Sequence, residues 1–167
     1  MGCLGVHFSL SQEEVDQLRG ISDEAARVDY LHEVIEEEYF ANQRERMAES
    51  DKAWDAMHRA LAGGELTYDG GDYPLNYVVI AGEPLYTEDD FIMVLKTPEQ
   101  VRDVAAALPS VTLADFRRRY FAIDQDAYGM PTSERDFEYT WGWFEQVRDF
   151  WLRAAAEGRY VLFTADQ

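Results

Sequence analysis

The stretch from Ser133 to Glu157 constrains the fold more than any other part of the chain. Phe137, Trp141, Phe144, Trp151 and Ala155 recur on one helical stripe, with Val147 and Phe150 beside it. So much aromatic surface on one helix has to be covered, so this helix belongs in the core. Ser133 opens it and Gly158 ends it. Trp143 stands two residues from Trp141, about 200° away around an ideal helix. The two indoles cannot both face inward. Trp143 is therefore a candidate for the margin of the stripe, in a groove or an interface.

The partner of that helix is expected to be a sheet built from short apolar runs. Cys3 to Leu10 reads as a strand with Leu4, Val6 and Phe8 on one face, and Leu75 to Ile80, Phe91 to Leu95 and Tyr160 to Phe163 read as further strands. Helix starts stand between them. Ser11 with Glu14, and Thr97 with Pro98 and Gln100, are capping boxes. Ser22 to Ala25 opens a helix whose 3.6-residue period runs through Ala25, Val28, Leu31, His32, Ile35 and Tyr39. Thr112 opens another, with Leu113, Phe116 and Tyr120 inward. Asn42 to Glu49 reads as a charged connector, Gly82 to Leu85 as a turn, and Phe121 to Pro131 as irregular. Strands and helices do not alternate as βαβ units. This predicts an α+β fold in a single domain over residues 1–167, with helices packed on a small, mainly antiparallel sheet. A doubly wound parallel sheet is the lesser alternative.

Charge removes one class of function. Acids number 33 against 15 Lys plus Arg, for a net charge of −18. Such a surface repels a phosphate backbone and suits a basic protein partner. No apolar run approaches the roughly 18 residues of a membrane span, and the N-terminal residues lack the basic and apolar regions of a signal peptide. Met1-Gly2 is followed by Val6 where an acylation signal needs Ser or Thr. The single cysteine, Cys3, cannot form an internal disulfide and reads as a small core residue. A cytoplasmic location is the expectation.

The most distinctive local signature runs from Asp51 to Gly63. Trp54 and His58 lie one turn apart on a helix face that Leu61 extends, with Asp51 seven residues and Asp55 three residues before His58. A carboxylate beside an imidazole is half of an acid–base pair. The plainer alternative buries Trp54 and Leu61 in the core, uses Asp51 to cap the helix and leaves His58 hydrogen-bonded inside. Glu83, in the turn Ala81-Gly82-Glu83-Pro84, is placed to project from a sheet end. No metal or cofactor is expected. His7, His32 and His58 share no ligand spacing, Asp69 and Asp72 lack the calcium-loop pattern, and phosphate loops and nucleophile elbows are absent.

These pieces together resemble the DUF1877, or YfbM-like, family. The matching segments are Met1-Gly2 with Leu4-Gly5 leading into Phe8 and Leu10; Asp51-Lys52-Ala53-Trp54 with His58, Leu61 and Gly63; Ala81 to Pro84; Thr97 to Val101; and Phe144 to Phe163. Met57 stands where the family pattern has Leu before the histidine. The resemblance implies an α+β fold in a small bacterial soluble protein and implies no activity. It carries over Asp51, Lys52, Trp54, His58, Gly82 and Glu83 as candidate pocket residues. Two functional readings follow. One is a non-enzymatic binding module, of inhibitor or immunity type, for a basic protein partner or a small molecule. The other is a small hydrolase or transferase using His58 with Asp51 or Glu83 as acid and base. The second needs the Trp54–His58 edge and the Glu83 bend to open into one space.

Overall fold

The computed structural model describes residues 3–167, so Met1-Gly2 and its acylation reading lie outside the described residues. Five strands form one sheet: β1 (Gly5–Leu10), β2 (Met47–Asp51), β3 (Glu83–Pro84), β4 (Phe91–Lys96) and β5 (Tyr160–Asp166). Their order is β2-β1-β5-β4-β3, and every pairing is antiparallel. The helices are α1 (Gln12–Gly20), α2 (Glu24–Tyr30), α3 (Glu37–Asn42), α4 (Trp54–Leu61), α5 (Pro98–Ala107), α6 (Leu113–Phe121), α7 (Gln125–Tyr128) and α8 (Glu134–Ala156). The fold is α+β.

Helices cover both faces of this sheet, so the inner strands β1, β4 and most of β5 have no wet side, while the edge strands β2 and β3 keep exposed residues. On one face Val6, Phe8, Leu10, Met93, Leu95 and Leu162 pack against Val15 and Leu18 of α1 and against Leu31, Ile35 and Tyr39. On the other, Ile92, Val94, Val161 and Phe163 meet α4, α5, α6 and α8. The aromatic stripe of α8 is the centre of that second core: Phe144, Phe150 and Trp151 are fully buried. Phe116 of α6 stacks on Phe144 with ring centroids 4.6 Å apart.

Several sequence expectations are corrected. The connector expected over Asn42 to Glu49 gives way at Met47 to the edge strand β2, because Ala48 and Met47 pair with His7 and Phe8. Gly82 to Pro84 is not only a turn: Glu83 and Pro84 ladder onto Leu95 and Val94. Gly82 has φ +145°, and an added Cβ would stand 2.7 Å from the Leu95 carbonyl oxygen, so that approach needs glycine. Leu75 to Ile80 is not a strand. It holds a 3-10 turn, Leu75–Tyr77, and its β-branched Val78, Val79 and Ile80 are buried without a ladder partner. Cys3 is exposed rather than part of the core, since it precedes the first covered residue of β1. Asp51 does not cap α4. It ends β2, and Ala53 stands at the cap without a side-chain bond.

Candidate functional site

Three backbone irregularities meet at one end of the sheet. The first is a bulge. Gly5 pairs with Asp51 while Val6 pairs with Glu49, which leaves Ser50 as the extra residue of β2. The Ser50 hydroxyl donates to the Gly5 carbonyl at 3.2 Å, and a Cβ on Gly5 would stand 2.6 Å from that hydroxyl and 2.8 Å from the Trp54 ring. The second is Asp51 itself, a non-glycine residue at φ +47°. Tyr139 of α8 clasps it: the phenol donates to Asp51 Oδ2 at 2.5 Å and accepts from the Lys52 N–H at 3.2 Å. Burial, then the Asp51 carboxylate, pushes the Tyr139 phenol up to about 12. The third is a π-helical turn, Leu31–Glu36, joining α2 to α3. Such turns concentrate at functional sites. Here it places His32 Nδ1 3.0 Å from Glu36 Oε2.

These features border a cleft of about 330 Å³. Val6, Phe91 and Thr164 come from the strands. Glu36 and Phe40 come from the helix above, Glu49 and Asp51 from β2, Trp143 from α8, and Asp166 from the end of β5. A second cleft, lined by Asp29, Tyr86 and Asp90, shares His32, Phe91 and Asp166 with the first. The two clefts adjoin at His32 and Phe91, whose rings meet edge to face with centroids 5.6 Å apart. The phenol of Tyr86 donates to Asp90 at 2.7 Å, and that bond helps to push it up to about 12. Carboxylates on an apolar floor favour cations, and aromatic faces such as Phe40, Phe91 and Trp143 add to that preference.

A different polar arrangement lies under α4, α5 and α8. His7 Nε2 meets the Val78 carbonyl at 2.7 Å, the Lys96 amine donates to the Val79 carbonyl, and His58 Nε2 meets the Thr67 carbonyl at 3.1 Å. A carbonyl only accepts, so Nε2 carries the proton in both imidazoles. Burial lowers His7 to about 3 and His58 to about 4, and it carries the Lys96 amine well below its usual value. The three bases supply donors to the Thr67, Val78 and Val79 carbonyls, which have no ladder partner.

A domain model, described as DUF1877, a domain of unknown function, matches residues 1–164. The chain belongs to the DUF1877 family. Its fold is similar to the solved structure of YfbM from Escherichia coli, described as a protein of unknown function. The TM-score is 0.69 at 18% identity, over 97% of this chain and 99% of that one. No curated protein matches the chain.

The structure divides the candidate residues of this DUF1877 chain among four places. Asp51 and Trp143 share the acidic cleft. Lys52 and Trp54 line a separate groove with Tyr128, Met130 and Tyr139, where the Trp54 indole donates to the Cys3 carbonyl at 2.7 Å. His58 is fully buried in the basic layer. Gly82 and Glu83 stand at the far edge of the sheet, where Arg19 donates to exposed Glu83 at 2.7 Å. The pairing of His58 with Asp51 or Glu83 is therefore corrected: Asp51 holds Tyr139, Glu83 holds Arg19, and His58 holds a backbone carbonyl. The Trp54–His58 edge and the Glu83 bend do not share a space.

Sequence reasoning missed His32, Glu36, Phe91, Thr164 and Asp166 as cleft residues. The π-turn had no sequence signal, because Ala25 to Tyr39 keeps an ordinary helical period. The basic layer had one. His7 and Lys96 interrupt the apolar runs of β1 and β4, where a covered strand has no other use for a polar side chain. Among the described residues no cluster of His, Cys, Asp and Glu is placed to hold a metal ion, and no helix is long and apolar enough to cross a membrane.

Proposed function

We propose that this chain is a binding module that takes a cationic group into the acidic groove at the open end of its sheet. One observation carries the reading. Asp29, Glu36, Glu49, Asp51, Asp90 and Asp166 line the two adjoining clefts, and no Lys or Arg does so among the described residues. Within the clefts Glu36 pairs with His32 and Glu49 reaches Arg44 at 3.8 Å, while Asp29, Asp51, Asp90 and Asp166 have no cationic partner among the described residues. A groove left with carboxylates and an apolar floor focuses a negative potential that a cation relieves. Charge complementarity then supplies attraction and fast encounter, while the aromatic walls supply contact.

A tetra-lysine peptide titrated into the protein at low and high salt tests this, with Trp fluorescence and amide chemical shifts as readouts. The expected result is binding at low salt that moves the resonances of Phe91, Trp143 and Asp166. Glu49→Gln and Asp166→Asn weaken it, and Glu99→Gln, an exposed acid on α5, does not. Equal affinity in all three variants means that net charge alone attracts the peptide, and the reading fails.

A further inference from the structure

We propose that the groove bordered by α4, α7 and α8 is a second site, separate from the acidic clefts, and that it takes a free amino acid with an aromatic side chain. Its volume is about 660 Å³, against about 330 Å³ for the acidic cleft. Small-molecule sites run from about 300 to 1,000 Å³. The first ground is charge. The chain has only two lysines. Lys96 is buried in the basic layer, and Lys52 is exposed and lines this groove. Asp55 and Asp136 line it too. Arg59 takes Asp55 at 2.6 Å, whereas Asp136 is held by two neutral phenols, Tyr120 at 2.5 Å and Tyr128 at 3.0 Å, both donating to Oδ2. Among the described residues Lys52 makes no ion pair, and no cation pairs with Asp136. Two opposite charges thus face one groove without reaching each other. A zwitterion closes that gap, its carboxylate toward Lys52 and its ammonium toward Asp136.

The second ground is the wall, which is independent of the charges. Tyr128, Met130, Tyr139 and the edge of Trp54 form it, and Met130 and Tyr139 are large apolar side chains left exposed. Tyr139 follows Asp136 by three residues on α8, so the two share a face. Its phenol accepts from the Lys52 N–H at 3.2 Å, which sets the ring between the two charges. The same phenol is anchored on Asp51, so the wall is preformed and a ligand spends little on ordering it. An aromatic ring lying there meets Tyr139 and the Met130 thioether, contacts that favour rings over short aliphatic groups. An arylalkyl amine lacks the pole for Lys52, an arylalkyl carboxylate lacks the pole for Asp136, and a small amino acid lacks the ring.

Isothermal titration of the full chain with phenylalanine, phenethylamine, hydrocinnamate and alanine separates these cases. The expected result is one phenylalanine per chain, bound about tenfold more tightly than any of the other three. Lys52→Met brings phenylalanine down to the level of phenethylamine and leaves phenethylamine as it was. Asp136→Asn brings it down to the level of hydrocinnamate and leaves hydrocinnamate as it was. Glu99→Gln changes none of the four. Asp136 also holds two phenols, so its variant is read beside a thermal melt; Lys52 is exposed and unpaired, and its variant carries the test if Asp136→Asn unfolds. Phenylalanine bound no more tightly than both of its singly charged analogues, or bound equally by wild type and Lys52→Met, overturns the assignment. Phenethylamine bound most tightly of the four, with no response to Lys52→Met, also overturns it and leaves the cation-binding reading of the acidic clefts standing.

Discussion

Lowering the pH from 7 to 5 destabilises this protein through two histidines, and the size of the effect follows from where they sit. His7 and His58 are fully buried and uncharged, with folded values of about 3 and about 4 against 6.5 when unfolded. Below pH 6.5 the unfolded chain therefore binds protons that the folded chain refuses. Stability falls with pH from 6.5 down to about 4 for His58 and about 3 for His7, and neither group contributes at pH 8. Between pH 7 and pH 5 each site costs about 1.4 protonation decades, or about 2 kcal/mol, and the pair about 4 kcal/mol. That is a large share of the roughly 5–15 kcal/mol that holds a domain of this size together.

The acids complicate a bare pH scan, because relief of self-repulsion on a chain of net charge −18 acts in the opposite direction. The comparison with His7→Gln and His58→Gln removes that background, since all three proteins share the same acids. Glutamine keeps an N–H for the Val78 or Thr67 carbonyl and does not titrate. Urea melts at pH 7 and pH 5 are expected to show each variant gaining about 2 kcal/mol on the wild type over that interval, whatever its stability at pH 7. Parallel pH curves for wild type and His7→Gln would falsify the claim that burial keeps this imidazole neutral.

Lys96→Met is expected to flatten the rise in stability from pH 7 to pH 9. Burial lowers the folded amine, so the unfolded chain holds the extra proton and the wild type gains stability as pH rises; paired urea melts read this. Gly5→Ala is expected to cost about 1–3 kcal/mol in a chemical melt, because the new methyl meets Ser50 and the Trp54 ring below contact distance. Tyr139→Phe is expected to lose about 1.5 kcal/mol, the low end for a bond to a charged group, since the residue is 38% exposed. Amide exchange at Lys52 is expected to rise with it. Glu83→Gln is expected to change stability by less than about 0.5 kcal/mol, as its partner Arg19 is a surface residue; a larger loss in a thermal melt would restore weight to the Gly82–Glu83 bend.

What the sequence made legible was whatever local chemistry decides. Ser11 and Thr97 form the capping boxes that their spacing demanded, and the α8 stripe is buried at Phe137, Phe144 and Trp151, while Trp141 and Ala155 are only partly covered and Thr140 and Ala154 face inward instead. The strand nature of Met47 to Asp51 was hidden because its charged residues are ordinary for an edge, and only pairing with β1 makes it a strand. Leu75 to Ile80 misled for the converse reason. Its β-branched residues are buried as a strand's would be, but side chains of β1 and β4, not a neighbouring ladder, satisfy its carbonyls. The candidate residues are scattered over four places for a similar reason. Helical spacing put Trp54 and His58 on one helix, but burial turned the imidazole inward while Lys52 and Asp51 diverged at a bulge that no pattern announces.

The two ends of the sheet obey different rules, and that contrast bears on where function lies. At one end β1 and β4 finish and pass directly into helices through Ser11 and Thr97, with both orphan amides of each box satisfied. At the other, β2 finishes in a bulge and a left-handed aspartate, while a π-turn closes over the strands. Left-handed non-glycine backbone costs on the order of 1–3 kcal/mol and persists only where the surroundings enforce it. Tyr139 supplies that enforcement with two hydrogen bonds from a different helix. A chain selected for stability alone would have placed glycine or asparagine at position 51, as it did place glycine at the crowded positions 5 and 82. Keeping a carboxylate there, in a strained conformation and facing a groove of other carboxylates, works against both backbone and electrostatics. The Tyr139 phenol meets part of that cost from within the chain, and the cation proposed above would relieve the electrostatic part.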